Sequence, residues 1–166
     1  AENGFSATVG IVRGDARRLS DLFPAGSLDG IACNPPYTPP GAGIPCGDAA
    51  RRTARQGDTL SLEDLAREAR CALRFGGRLC LCLRPQRLGE AVGLFQRFQL
   101  EPKRLRLCQQ RPGKAPFLLL LECRRGGRPG MDVGPVLLLE GEDGRPTGEL
   151  EAIYGDYRDN PEHQRR

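Results

Sequence analysis

The residues best suited to chemistry stand together as Asn34-Pro35-Pro36-Tyr37. An asparagine side-chain oxygen accepts hydrogen bonds, and a backbone carbonyl held by stiff prolines outside any ladder is a second acceptor. Two convergent acceptors hold an –NH2 group by its two protons. Tyr37 adds a flat face on which a planar group stacks. Such a corner suits a planar aryl amine or an amide. A rigid turn of no chemical role is the plain alternative.

The elements around this corner must place it. Leu28 to Cys33 reads as a strand ended by the two prolines, so the motif falls at a strand's C-terminal end, where open α/β sheets bind ligands. Val9 to Val12 reads as an earlier short strand, closed by Arg13-Gly14-Asp15. A Gly-, Pro- and Arg-rich loop runs from Thr38 to about Thr59. Ser61-Leu62-Glu63-Asp64 is a helix start, with the Ser hydroxyl placed to accept from the amide three residues on. Leu62, Leu65, Ala66, Ala69, Ala72 and Leu73 fall on one helical face, and Gly76-Gly77 is the expected stop. Leu79, Leu81 and Leu83 alternate with Cys80 and Cys82, which predicts a strand covered on both faces and the two cysteines as buried small hydrophobes.

Pro85 opens a second helix with Leu88, Ala91, Val92, Leu94, Phe95 and Phe98 on its apolar face. Strands come next at Arg104 to Cys108 and Phe117 to Cys123. Only Gln109 to Pro116 joins them, too short for a crossover, so they should be antiparallel. Pro135 to Leu139 is a candidate edge strand and Gly148 to Tyr154 a short helix, with 156–166 a flexible tail. The order predicts an α/β fold with a mostly parallel sheet in one domain, 1–166.

Composition narrows the classes. The chain has 166 residues, a net charge of +4 and 39% hydrophobic residues, which excludes a disordered tail, a collagen and a coiled coil. The longest apolar run, Phe117 to Leu121, is far short of a bilayer span, and the first residues carry no secretory signal. Seven cysteines, with no C-x-x-C and no export signal, read as reduced thiols in a cytoplasmic protein. The single His, His163, lies in the polar tail, so metal catalysis is not expected. From Arg97 to Arg128 nine basic residues stand against two acidic ones, and Asp132 to Glu162 reverses the balance. That asymmetry fits an anionic partner docking on one side, and equally fits ordinary solvated faces.

The motif resembles the [ND/S]-P-P-[YFW] signature of S-adenosylmethionine-dependent amino-methyltransferases with the class I Rossmann-like fold. Leu28-Asp29-Gly30-Ile31-Ala32-Cys33 is similar to that family's fourth strand. Ala54-Arg55, Leu62-Glu63-Asp64-Leu65 and Leu73-Arg74-Phe75-Gly76-Gly77-Arg78 resemble its next loop, helix and fifth strand. Arg84-Pro85-Gln86-Arg87-Leu88, Glu101-Pro102-Lys103-Arg104-Leu105-Arg106 and Gly113-Lys114-Ala115 resemble one branch, as do Leu137-Leu138-Leu139 and Ile153-Tyr154-Gly155. That branch is the bacterial adenine-N6 methyltransferases acting beside the anticodon of a valine tRNA.

The resemblance, over about residues 1–155, implies a set of roles. Asn34 and the Pro35 carbonyl would orient the amine and Tyr37 would stack on the flipped base. Asp15 and Asn34 would face the cofactor, S-adenosylmethionine. Arg55, Arg84, Lys103, Arg104 and Lys114 would meet the tRNA. The same four residues also serve protein glutamine N5-methylation. Thr38 stands where the branch often has Phe, and Gly30 is unusual inside a buried strand.

The family's glycine loop between a first strand and helix has no counterpart. Gly41-Ala42-Gly43 lies in the long loop and is followed by Pro45. The resemblance therefore implies an N-terminally incomplete sheet, with activity of this chain alone in question and a non-catalytic remnant as the alternative. Either the chain is a fragment, or Val9–Val12 pairs in a new place, against Leu28–Cys33 or a second chain across the exposed edge.

Overall fold

A computed structural model of the chain describes residues 8–35 and 60–155. Pro36, Tyr37, Thr38 and Arg55 lie outside the described residues, as do Cys46 and His163. The first element is a short 3-10 segment, Ala16–Asp21, capped by Asp15. Strand β1, Leu28–Cys33, leads to the motif. Helix α1, Leu62–Ala72, runs straight into strand β2, Leu73–Leu83. A 3-10 turn, Pro85–Arg87, then opens helix α2, Leu88–Arg97. Strands β3, Leu100–Gln109, and β4, Leu118–Arg125, are followed by two short strands, β5, Asp132–Val133, and β6, Leu137–Leu138. Helix α3, Gly148–Tyr154, comes last.

The strands form one sheet ordered β1-β2-β4-β3-β5, with β6 also pairing β3. β1 is parallel to β2, and β4 runs antiparallel to both of its neighbours, β2 and β3. β5 and β6 are parallel to β3. All strands but β4 therefore point the same way, the mostly parallel sheet with an antiparallel last pair that the connection lengths predict. Phe117 N donates to Cys108 O across that short connection.

Helix α1 begins as its residues dictate. Ser61 Oγ accepts from Asp64 N at 3.0 Å and donates to Asp64 Oδ2 at 2.6 Å. Its buried face, Leu62, Leu65, Ala66 and Ala69, packs with Ala91 and Phe95 of α2 on one side of the sheet. There Leu79, Leu81 and Leu83 of β2 meet Leu119, Leu121 and Cys123 of β4, cross-strand partners in register. Phe95 is fully buried and the largest side chain of this core.

Several expectations are corrected. Val9–Val12 forms no strand, and its side chains are solvent-exposed, Ile11 at 96%. Without a covered sheet face to pack on, three apolar residues do not hold a strand. α1 ends at Ala72, ahead of the glycines, because Leu73 is already extended and buried. Gly77 lies inside β2, where an added Cβ would come within 2.9 Å of Arg74 O and 3.2 Å of Leu28 O and Asp29 O. That close approach explains the glycine better than a helix stop.

β2 is covered on its leucine face only. Cys80 is exposed and Cys82 partly so, since both α1 and α2 sit on the opposite side. Gly30 is not in a buried strand. It is exposed on β1, and its nearest neighbour to an added Cβ is Arg78 O at 3.7 Å.

Candidate functional site

Cys33 of β1 pairs with Leu81 of β2, so Asn34 and Cys82 stand side by side at the strands' C-terminal ends. Alternation sends both to the sheet face away from α1 and α2. Asn34 is exposed while Pro35 is buried, which fixes the backbone and turns the carboxamide toward solvent. Cys82 Sγ donates to Asn34 Oδ1 at 2.9 Å. Among the described residues no backbone amide outside the ladders donates to the Pro35 carbonyl.

A cavity of about 830 Å³ starts at Asn34 and extends over the open sheet face, past Cys80, Cys82 and Leu120, to Arg104, Arg106 and Glu149. Its far wall is braced. Arg106 Nε donates to Pro135 O at 2.8 Å, which holds the segment carrying β5 against the sheet. Arg106 Nη2 also lies 2.6 Å from Glu149 Oε1, off the line of its N–H, so this is a charge contact rather than a hydrogen bond. Glu122, mid-face, sits 3.8 Å from Arg78 and 3.7 Å from Arg104.

Two thiols around the site are shifted upward. Burial pushes the Cys33 thiol up, with Cys82 adding to it. Burial also raises Cys80, with the Glu122 carboxylate a further cause. Cys123, inside the core, is pushed up by burial to about 12. Among the described residues no group of three or more His, Cys, Asp or Glu could hold a metal ion, and no helix is long and apolar enough to cross a membrane.

The remaining candidates divide. Arg84 follows β2 and donates to Phe117 O at 3.1 Å, and Lys114 lies in the β3–β4 connection. Because β1, β2 and β3 are parallel, both stand at the same sheet end as Asn34. Lys103 does not. It donates to Arg128 O at 3.1 Å and Gly130 O at 2.5 Å, clamping the loop after β4. Arg104 lies mid-strand beside Glu122. Asp15 caps the 3-10 segment by accepting from Arg17 N, and both its oxygens also accept from the Arg17 guanidinium. Those bonds hold its carboxyl below the usual carboxylate range. Tyr37 and Arg55 lie outside the described residues.

Sequence reasoning missed Cys82 as the neighbour of Asn34, and Glu68, which anchors the 3-10 segment by accepting from Ser20 N at 3.0 Å. The alternating Cys80 and Cys82 carry a signal for the first, but using it needs the β1–β2 register.

No protein-family model matches the chain. The chain is 31% identical over 148 residues to the tRNA1(Val) (adenine(37)-N6)-methyltransferase of Parabacteroides distasonis, covering 84% of this chain and 58% of that protein. A predicted O-methyltransferase from Agrobacterium tumefaciens superposes with a TM-score of 0.61 at 21% identity, over 86% of this chain and 57% of its own. A putative DNA modification methylase from Thermus thermophilus, solved with S-adenosyl-L-methionine, superposes at 0.49 with 19% identity, over 86% and 58%. The chain thus spans 58% of the length of the curated relative it matches. The chain is similar along most of its length to a tRNA1(Val) adenine-N6-methyltransferase, and its fold is that of a predicted O-methyltransferase.

Proposed function

We propose that the chain serves S-adenosylmethionine-dependent methylation of the exocyclic N6 amino group of an adenine in tRNA, in the cytoplasm. The observation that carries this reading is the exposed Asn34 carboxamide at the C-terminal end of β1, opening on a cavity. The curated relative's name supplies the substrate class.

The described residues fit the reacting side of such a site. Asn34 presents its carboxamide there, and Asp15 is an exposed carboxylate whose two oxygens each take two bonds from Arg17, so a ligand would have to displace that guanidinium. These two would hold S-adenosylmethionine, which supplies an electrophilic methyl group when bound. The chain's own residues do the rest. Asn34 Oδ1 and the Pro35 carbonyl accept the two amine protons and so aim the nitrogen lone pair, which stands perpendicular to the ring, at the methyl group.

Positive charge would grow on that nitrogen as its bond to the methyl forms and the methyl's bond to sulfur breaks, leaving a neutral thioether, and one of the two hydrogen-bonded protons then leaves to solvent. Hydrogen bonds to a charged donor are roughly twice as strong as neutral ones, so both acceptors bind the transition state better than the ground state. Tyr37 stacking on the base is worth ~1–3 kcal/mol. Arg84 and Lys114, with Arg55, are the cations for tRNA phosphates. Lys103 and Arg104, one clamping a loop and one paired with Glu122, would contribute only through the scaffold. Self-association would use the outer edge of β1, which pairs no strand among the described residues.

The test is transfer of labelled methyl groups to bulk tRNA and, separately, to a protein extract. Label in tRNA, lost with Asn34→Ala, supports the reading. Label in protein only replaces it with glutamine N5-methylation.

A further inference from the structure

We propose that Cys82 is a positioning residue for Asn34, its thiol fixing which end of the carboxamide faces the target amine. The inference rests on the proposed amino-methylation. A carboxamide has an accepting oxygen and a donating –NH2, and the two differ little in shape. Presented oxygen-first, Asn34 accepts an amine proton. Presented nitrogen-first, it sets its own N–H groups against those of the substrate, and the site repels what it must bind. Some neighbour therefore has to tell the two ends apart.

Cys82 is placed to do so. Its Sγ donates to Asn34 Oδ1 at 2.9 Å. The contact is dictated by the sheet. Ala32 pairs with Cys80 and Cys33 with Leu81 in one parallel ladder, which brings the next residues, Asn34 and Cys82, level with each other. Cys82 is itself held on its other side by antiparallel pairing with Leu120. The thiol sits on an interior strand, and the amide lies between an edge strand and a buried proline. An sp2 oxygen has two lone pairs, so Oδ1 can accept from the thiol and from an amine in the cavity together. The thiol touches neither amine nor cofactor in this scheme and acts only through Asn34.

Two readouts separate this role from a merely structural one. In the first, Cys82→Ala lowers kcat for tRNA methylation about tenfold with KM within about twofold, as outer-shell partners of reacting groups do. Cys82→Ser, which keeps a donor, restores kcat to within about threefold of the wild-type chain. Cys71→Ala, on α1, leaves both constants unchanged.

The second readout needs no activity. The S–H stretching band of Cys82, isolated as the difference between the wild-type chain and Cys82→Ala, moves to higher frequency when Asn34 is replaced by Ala. Equal losses in Cys82→Ala and Cys82→Ser, an unchanged kcat in Cys82→Ala, or a band indifferent to Asn34 overturns the inference. A wild-type chain that methylates neither tRNA nor protein overturns the proposed function instead, and the vibrational band alone then decides whether the Cys82 thiol holds the Asn34 oxygen.

Discussion

Glu68 gives the sharpest test of how the scaffold is tied together. It is a carboxylate on the buried face of α1, only 7% exposed, and its Oε2 accepts from Ser20 N at 3.0 Å. Its Oε1 lies 3.5 Å from Arg67 Nε. Through this bond α1 helps fasten the Ala16–Asp21 segment that Asp15 caps. Glu68→Ala leaves the Ser20 amide without its acceptor. A hydrogen bond to a charged group contributes about 1.5–3 kcal/mol, and re-solvation of a surface segment recovers part of it, so the expected loss is ~1–2 kcal/mol.

With a urea slope of about 1–3 kcal/mol per molar, the midpoint should fall by roughly 0.3–2 M. Amide exchange across Ala16–Leu22 should quicken by about 5–30-fold. Glu68→Gln keeps an accepting oxygen and should recover about half of both effects. If Glu68→Ala changes neither the urea midpoint nor exchange in that segment, the anchor does not operate and the placement of Asp15 has another cause.

Three further outcomes derive from the packing and the charges. Phe95→Ala, which empties the centre of the core, should lower stability by ~3–5 kcal/mol in urea unfolding, against ~0 for an exposed control such as Ile11→Ala. In native thiol titration with an aromatic disulfide, Cys123 and Cys108 should stay unreactive until unfolding, because both are buried and burial raises both thiols. The third concerns Asp64, whose carboxyl is lowered by its bond from Ser61 and then by Arg67. A depressed folded value means stabilisation present above the unfolded value of about 3.9 and lost as pH falls through the folded one. The gap in urea midpoint between the wild-type chain and Ser61→Ala should therefore be widest above about pH 5 and narrow toward pH 2.

Much of the architecture is legible residue by residue. Ser61 and Asp64 announce the start of α1, and the leucines of Leu79–Leu83 announce β2. The short run from Gln109 to Pro116 forces β3 and β4 to be antiparallel. Other features depend on packing that no local pattern encodes. Cys80 and Cys82 look as apolar as buried residues, and only the position of α1 and α2 on one side shows which face of β2 stays open. Val9, Ile11 and Val12 have strand propensity but form no strand, although the outer edge of β1 pairs no strand among the described residues.

The site divides in the same way. Asn34-Pro35 is legible as a pair of acceptors at a strand end. The Cys82 thiol beside it is set by ladder register, and the commitment of Lys103 to Arg128 and Gly130 by a loop that returns after β4. Positive charge in sequence does not say which cations are already engaged.

The central claim is that Asn34 receives the amine that becomes methylated. Its most direct test is the rate of labelled methyl transfer to tRNA by Asn34→Ala, with equal urea midpoints showing that both chains are folded. Removing one preorganised partner of developing charge should lower kcat by about 10²–10³-fold, with KM for tRNA changed less than about threefold. A wild-type chain that transfers no label to tRNA, or an Asn34→Ala chain that keeps half of the rate, contradicts it.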